Sequence, residues 1–157
     1  MITMEQYWMG RDCDYASDLT PEVTANAHVL IERVNHVLAR AAADAVFPAV
    51  DGDTGHAILS GWRPRAVNSA TAQASMTSKH VIGCAIDLHD RIPERPLARW
   101  CLRNRRILEE ATLWMEDPRW TPRWVHLQST PPASGDRVYI PSARPALAAK
   151  LPEQGLA

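Results

Sequence analysis

His80 and Asp87, with Gly83 between them, are the residues of this chain whose types and spacing speak most directly of chemistry. An imidazole nitrogen and a carboxylate oxygen are both good ligands for zinc and for harder divalent metals. Side chains alternate along a strand, so two residues seven positions apart on an unbroken strand point to opposite faces. A pairing of His80 with Asp87 therefore requires a turn, and Gly83 permits a tight one. Beyond that turn Ala85 shares the face of Asp87, and its small side chain leaves room beside a metal or a substrate. A third ligand stands in Trp124-Val125-His126-Leu127-Gln128, where alternation puts Trp124, His126 and Gln128 on one face and Val125 and Leu127 on the other. Two imidazoles and one carboxylate, with a fourth position left for water, form an open and hence catalytic type of zinc site. The same donors suit non-haem ferrous iron, so the ligands alone do not choose the metal.

Elements of both kinds are needed to bring these residues together. From Thr20 to about Ala45 the apolar positions Val23, Ala27, Leu30, Ile31, Val34, Val37, Leu38 and Ala41 recur at steps of three and four, the stripe of an amphipathic helix. Thr20-Pro21 supplies its start, a capping oxygen followed by a residue that needs no N–H. His28 and His36 lie on that helix without a neighbouring ligand set, and are read as surface residues. Asp51 to Gly55 is a turn, Ala57 to Leu59 a short strand, Pro64 to about Ala74 a helix, and Ile82 to Leu88 a buried strand. Pro96 to Glu110 reads as a further helix with Arg99, Arg103 and Arg106 along one side, a solvated face or a basic surface for anionic wall polymer or lipid. Leu113 to Glu116, Trp124 to Gln128 and Val138 to Ile140 complete the strands. The expected fold is α+β, in one domain over 1–157 with residues 143–157 as a frayed tail.

Composition narrows the function classes. The chain has 157 residues, 46% hydrophobic and 22% charged, with a formal net charge of -1. That describes a globular domain with an adequate core and no general footprint for nucleic acid. No apolar run approaches the roughly 18 residues of a membrane span, and Met1 to Gly10 lacks the basic start and apolar stretch of a secretory signal. Synthesis in the cytoplasm without membrane insertion is the expectation. Cys13, Cys84 and Cys101 are odd in number and far apart, which suits free thiols.

Taken together, Ser78, His80, Gly83, Ala85 and Asp87, followed by Trp124-Val125-His126, resemble the signature of the D-alanyl-D-alanine carboxypeptidase and dipeptidase family of zinc peptidases. That family includes phage endolysins and shares its fold with the hedgehog signalling domain. Upstream, Ser60-Gly61-Trp62-Arg63 and Asn68 are similar to the family's Ser-Gly-aromatic-Arg segment. The resemblance runs from Ser60 to about Gln128 and implies a small antiparallel sheet flanked by helices around one zinc site. It implies that His80, Asp87 and His126 hold Zn2+, that Arg63 holds a substrate carboxylate or a developing oxyanion, and that Ser78 is a supporting or substrate-binding hydroxyl. As a turn residue Ser78 is equally well explained as a cap.

The chain departs from the dipeptidase pattern at the general base. Those enzymes resemble one another in a Glu three residues before the final His, and Arg123 stands there. A guanidinium cannot accept a proton at neutral pH. If Asp117 to Pro122 forms a hairpin loop, Glu116 returns beside His126, since paired strands lie about 4.8 Å apart. Glu116 is the expected base ahead of Asp117, whose place before Pro118 suits a turn. Trp120, in the same loop, is the expected aromatic contact for substrate. His89 flanks the site, and Cys84 is expected to be a buried thiol. The implied activity is hydrolysis of an amide bond in the peptide stem or crossbridge of peptidoglycan by a monomer of endolysin type acting at the cell wall. Two rivals are a D-Ala-D-Ala dipeptidase or carboxypeptidase acting on small substrates and a non-catalytic, zinc-stabilised wall-binding module.

Overall fold

The computed structural model describes residues 1–72 and 74–141, so the expected tail at 143–157 lies outside the described residues. Two short helices, α1 (Met4–Trp8) and α2 (Arg11–Asp14), precede a 3-10 turn at Ala16–Asp18 and the long helix α3 (Pro21–Ala43). The Thr20 hydroxyl accepts the Val23 N–H, satisfying a donor that has no partner inside the first turn. The eight residues of the apolar stripe are the eight that α3 buries. Leu30, Val34 and Val37 lose all contact with solvent, while His28 and His36 stay on its exposed face.

The remaining elements are β1 (Ile58–Ser60), α4 (Arg65–Ala70), β2 (Ala85–His89), α5 (Pro96–Arg103), α6 (Arg105–Glu110), β3 (Trp114–Glu116), β4 (Trp124–Gln128) and β5 (Val138–Tyr139). The strands form one sheet in the order β1-β2-β4-β3-β5. Every pair is antiparallel except β3 with β5, which run parallel. The fold is thus mixed α+β, a small five-stranded sheet with helices. One face of the sheet carries Ile86, Leu88, Val125, Leu127 and Met115, which join the stripe of α3 in a single hydrophobic cluster. The other face carries Ala85, Asp87, His126 and Gln128, because β2 and β4 pair Ala85 with Gln128 and Asp87 with His126.

Three expectations change. The helix read over Pro64 to about Ala74 ends at Ala70, where Thr71 takes up extended backbone. The helix read over Pro96 to Glu110 divides at Asn104, whose backbone leaves helical geometry and whose side-chain amide donates to the Trp100 carbonyl. The Asn104 backbone N–H closes onto the same carbonyl as the last bond of α5, so Arg106 stands on a separate helix from Arg99 and Arg103 and pairs with Glu110. The strand read from Ile82 begins instead at Ala85, because Gly83 has φ +76° and the chain turns there.

Gly83 packs as tightly as it turns. A Cβ on it would stand 2.5 Å from the Val23 carbonyl oxygen of α3. Gly135 has φ +75° with open space around the same position. Gly135→Ala should cost about 1 kcal/mol, the left-handed backbone penalty, and Gly83→Ala about 2 kcal/mol more for the collision. Urea unfolding of both variants measures the difference, and equal losses would mean that α3 simply moves aside.

Candidate metal centre

Each of the three predicted ligands comes from a different local device. His80 belongs to the turn ahead of Gly83, which the Cys84 N–H closes onto the Lys79 carbonyl. Asp87 sits at the middle of β2 and His126 opposite it on β4. All three are buried, and their ligand atoms lie within 4.8 Å of one another, so the cluster could hold a metal ion.

The hydrogen bonds around the cluster assign the ring nitrogens. His80 Nδ1 lies 2.8 Å from the Gly61 carbonyl, which can only accept, so Nδ1 carries the proton and Nε2 keeps its lone pair. That Nε2 is buried and makes no hydrogen bond, although it stands 3.3 Å from Asp87 Oδ2. A buried acceptor left in this state is costly unless something binds it. The separation is close to the roughly 3.4 Å expected between two ligand atoms about 2.1 Å from one tetrahedral ion. The opposite oxygen, Asp87 Oδ1, is 2.7 Å from His126 Nδ1. These donors therefore fit a divalent transition metal.

Electrostatics agree with that arrangement. Burial pushes His80 below the ordinary imidazole range, with Asp87 pulling in the other direction. Burial also opposes ionisation of Asp87, but the two imidazoles outweigh it and hold the carboxyl well below the usual carboxylate range. For His126 burial again opposes charge, and the hydrogen bond and charge of Asp87, followed by Glu116, raise it overall.

Glu116 reaches the same face. β3 pairs Trp114 with Gln128 and Met115 with Leu127, and continuing that register by one residue sets Glu116 opposite His126. On its other side Glu116 pairs with Tyr139. Asp117 is differently employed, accepting the Arg119 backbone N–H and guanidinium within the β3–β4 loop. That loop is held from outside, since Arg95 donates to the carbonyls of Pro118 and Thr121. Trp120 is half-buried inside it, its backbone N–H donating to the Asp117 carbonyl.

Arg63 and Ser78 also meet at the centre. The Arg63 Nη2 donates to Ser78 Oγ at 3.2 Å, and the Arg63 backbone N–H donates to the His80 carbonyl. Its Nε is buried without a hydrogen bond, and burial lowers its pKa while Asp87 raises it. Ser78 Oγ additionally accepts the His80 N–H at 3.4 Å, so the hydroxyl both caps the turn and braces the guanidinium.

Other residues fall outside the cluster. His89 pairs with Trp124 at the far end of the β2–β4 ladder. The Cys84 thiol turns toward the Ile82 carbonyl. Trp62 is core, its indole N–H donating to the Val81 carbonyl. Several supporting groups had no signal as chemistry in the sequence. Tyr7 is fully buried, donates its hydroxyl to the Ala85 carbonyl and receives the Trp62 N–H on its own carbonyl. Arg11 donates to the Trp62 carbonyl at 2.6 Å. Together they seat Gly61, where a Cβ would fall 1.9 Å from the Tyr7 oxygen.

Calorimetric titration with divalent zinc, cobalt or iron should give one equivalent of binding to the wild type. His80→Ala and Asp87→Ala should lose it, whereas the double variant His28→Ala/His36→Ala should not, because those imidazoles lie exposed on α3. Unaltered binding by His80→Ala would place the metal elsewhere. No family model, no curated protein and no solved structure matches the chain.

Proposed function

We propose that this protein is a zinc-dependent peptidase of the hedgehog and DD-peptidase fold, hydrolysing an amide bond in the peptide stem or crossbridge of peptidoglycan. The observation that carries the reading is the buried His80–Asp87–His126 cluster with the Glu116 carboxylate one strand away. Two nitrogens and one oxygen are fewer ligands than a closed structural site uses, and an acid beside them is what amide hydrolysis needs. The wall substrate comes from the resemblance of Ser78 to Asp87 and Trp124 to His126 to the family's signature.

In this mechanism His80 Nε2, Asp87 and His126 hold zinc, which when bound supplies electrophilic polarisation of the scissile carbonyl and makes water nucleophilic near neutral pH. Glu116 takes the proton of the attacking water and returns it to the leaving amine. Its position opposite His126 lets one carboxylate serve both transfers. Arg63 offers a permanently charged fork of donors to the developing oxyanion or to a substrate carboxylate, with Ser78 limiting its rotation. Trp120 offers an aromatic edge to the peptide from the loop.

A second reading, a zinc-stabilised binding module without turnover, is favoured by Arg123, which stands where the dipeptidase pattern has its acid. It is exposed, and its carbonyl accepts the Asp90 N–H.

Glu116→Gln should lower hydrolysis of permeabilised cell walls by about 10³-fold, the usual scale for removing a general base, with zinc content unchanged. Asp117→Asn should retain activity, because Asp117 is engaged with Arg119. Turbidity loss with and without chelator gives the rates, and mass spectrometry of the released fragments names the bond. Full activity in Glu116→Gln would overturn the assignment of the base. Metal-loaded wild type that releases no wall fragments but cleaves D-Ala-D-Ala would favour the small-substrate enzyme, and inertness to both would favour the binding module.

A further inference from the structure

His126 is held on two sides, and the second side is occupied by residues to which no role has yet been given. Its Nε2 lies 3.5 Å from Gln128 Oε1, two positions along the same strand face. The same oxygen accepts the Tyr139 hydroxyl at 2.7 Å. The Gln128 amide nitrogen donates to the Thr130 carbonyl, which can only accept. That bond fixes which end of the amide is oxygen, since a flipped amide would oppose two acceptors. Gln128 and Tyr139 are both buried, so the network is closed to water.

From this geometry we infer that Gln128 and Tyr139 are positioning residues for the zinc ligand His126, the inference resting on the zinc reading proposed above. A carbonyl oxygen facing Nε2 keeps the proton there. On the other side Nδ1 donates to Asp87 Oδ1 at 2.7 Å, so it is the Nδ1 proton, and not the one held by Gln128, that a metal would displace. The Tyr139 hydroxyl occupies another lone pair of the same oxygen and stops the amide from swinging away. His80 is oriented in the complementary sense, Nδ1 to the Gly61 carbonyl and Nε2 to the cluster. A ligand imidazole whose far nitrogen has a fixed acceptor binds metal more tightly and in one ring orientation, and losing such an acceptor typically costs 10- to 100-fold in affinity.

The acceptor, rather than the bulk, of Gln128 is what matters here, and that separates the idea from ordinary packing. Zinc affinity of the full chain, measured by competition with a chromophoric chelator, should fall roughly 10- to 100-fold in Gln128→Leu. It should fall less in Gln128→Glu, which keeps an oxygen facing Nε2 but loses the donor to the Thr130 carbonyl. Tyr139→Phe, which removes one hydroxyl from an otherwise intact core, should give a smaller loss in the same direction. In nitrogen-proton spectra of the zinc-loaded protein, the His126 Nε2–H proton should be protected from solvent exchange in wild type and Gln128→Glu, and exposed in Gln128→Leu. Equal zinc affinity and equal protection in Gln128→Leu and wild type would overturn the inference while leaving the metal reading intact. Equal weakening by Leu and Glu would also overturn it, by showing that shape alone counts. A wild type that binds no zinc would remove the metal reading itself and this inference with it.

Discussion

A carboxylate buried in a protein must be paired, because the cost of taking its charge out of water far exceeds what packing returns. Asp87 meets that constraint by standing between two imidazoles, Oδ2 toward His80 and Oδ1 toward His126. Much of the structure around the sheet follows from it. The partner on β4 is delivered by strand register, since Asp87 and His126 are direct neighbours across the ladder. The partner from the preceding loop needs a reversal of chain direction in three residues, and Gly83 provides it with a backbone that other residues enter only under strain.

Support for the centre is layered, and most of it is backbone. The peptide group whose Gly61 carbonyl orients His80 gives its Trp62 N–H to the Tyr7 carbonyl, and Arg11 holds the next carbonyl, that of Trp62, so the N-terminal helices act on the cluster through two successive peptide groups. Gly61 and Gly83 share a reason for having no side chain, because at each a neighbouring backbone oxygen occupies the space of a Cβ. At the other end of the sheet, Asp90 caps α5 through the Leu97 and Ala98 N–H groups, and Arg95 beside that cap holds the loop between the Glu116 and His126 strands. Side chains that carry no chemistry thus fix the spacing of those that do.

Local patterns were legible in the sequence where one physical rule dominates. The stripe of α3 follows from the burial of every third or fourth residue, and its eight apolar positions are the eight the helix hides. Strand β4 keeps its predicted ends because alternation and a Pro-rich approach both mark them. The stretch from Pro96 to Glu110 is two helices because the backbone at Asn104 leaves the helical region, a break at one residue that apolar spacing does not register. Asp117 could be told from Glu116 by its place before Pro118, a turn position, and its side chain is indeed spent on Arg119.

What the sequence by itself determined is the donor set and the need for a bend, because ligand type and strand alternation are properties of residues and their spacing. Glycine between His80 and Asp87, and His126 on the polar face of its strand, are visible without coordinates. Only the tertiary structure decided which group each imidazole nitrogen faces, that Tyr7 and Arg11 hold the two peptide groups of Trp62, and that Gln128 and Tyr139 close the far side of His126. These are contacts between segments far apart in the chain, several of them to backbone carbonyls. A carbonyl belongs to every residue alike, so its role depends on where the chain is carried and leaves no mark in the choice of amino acid.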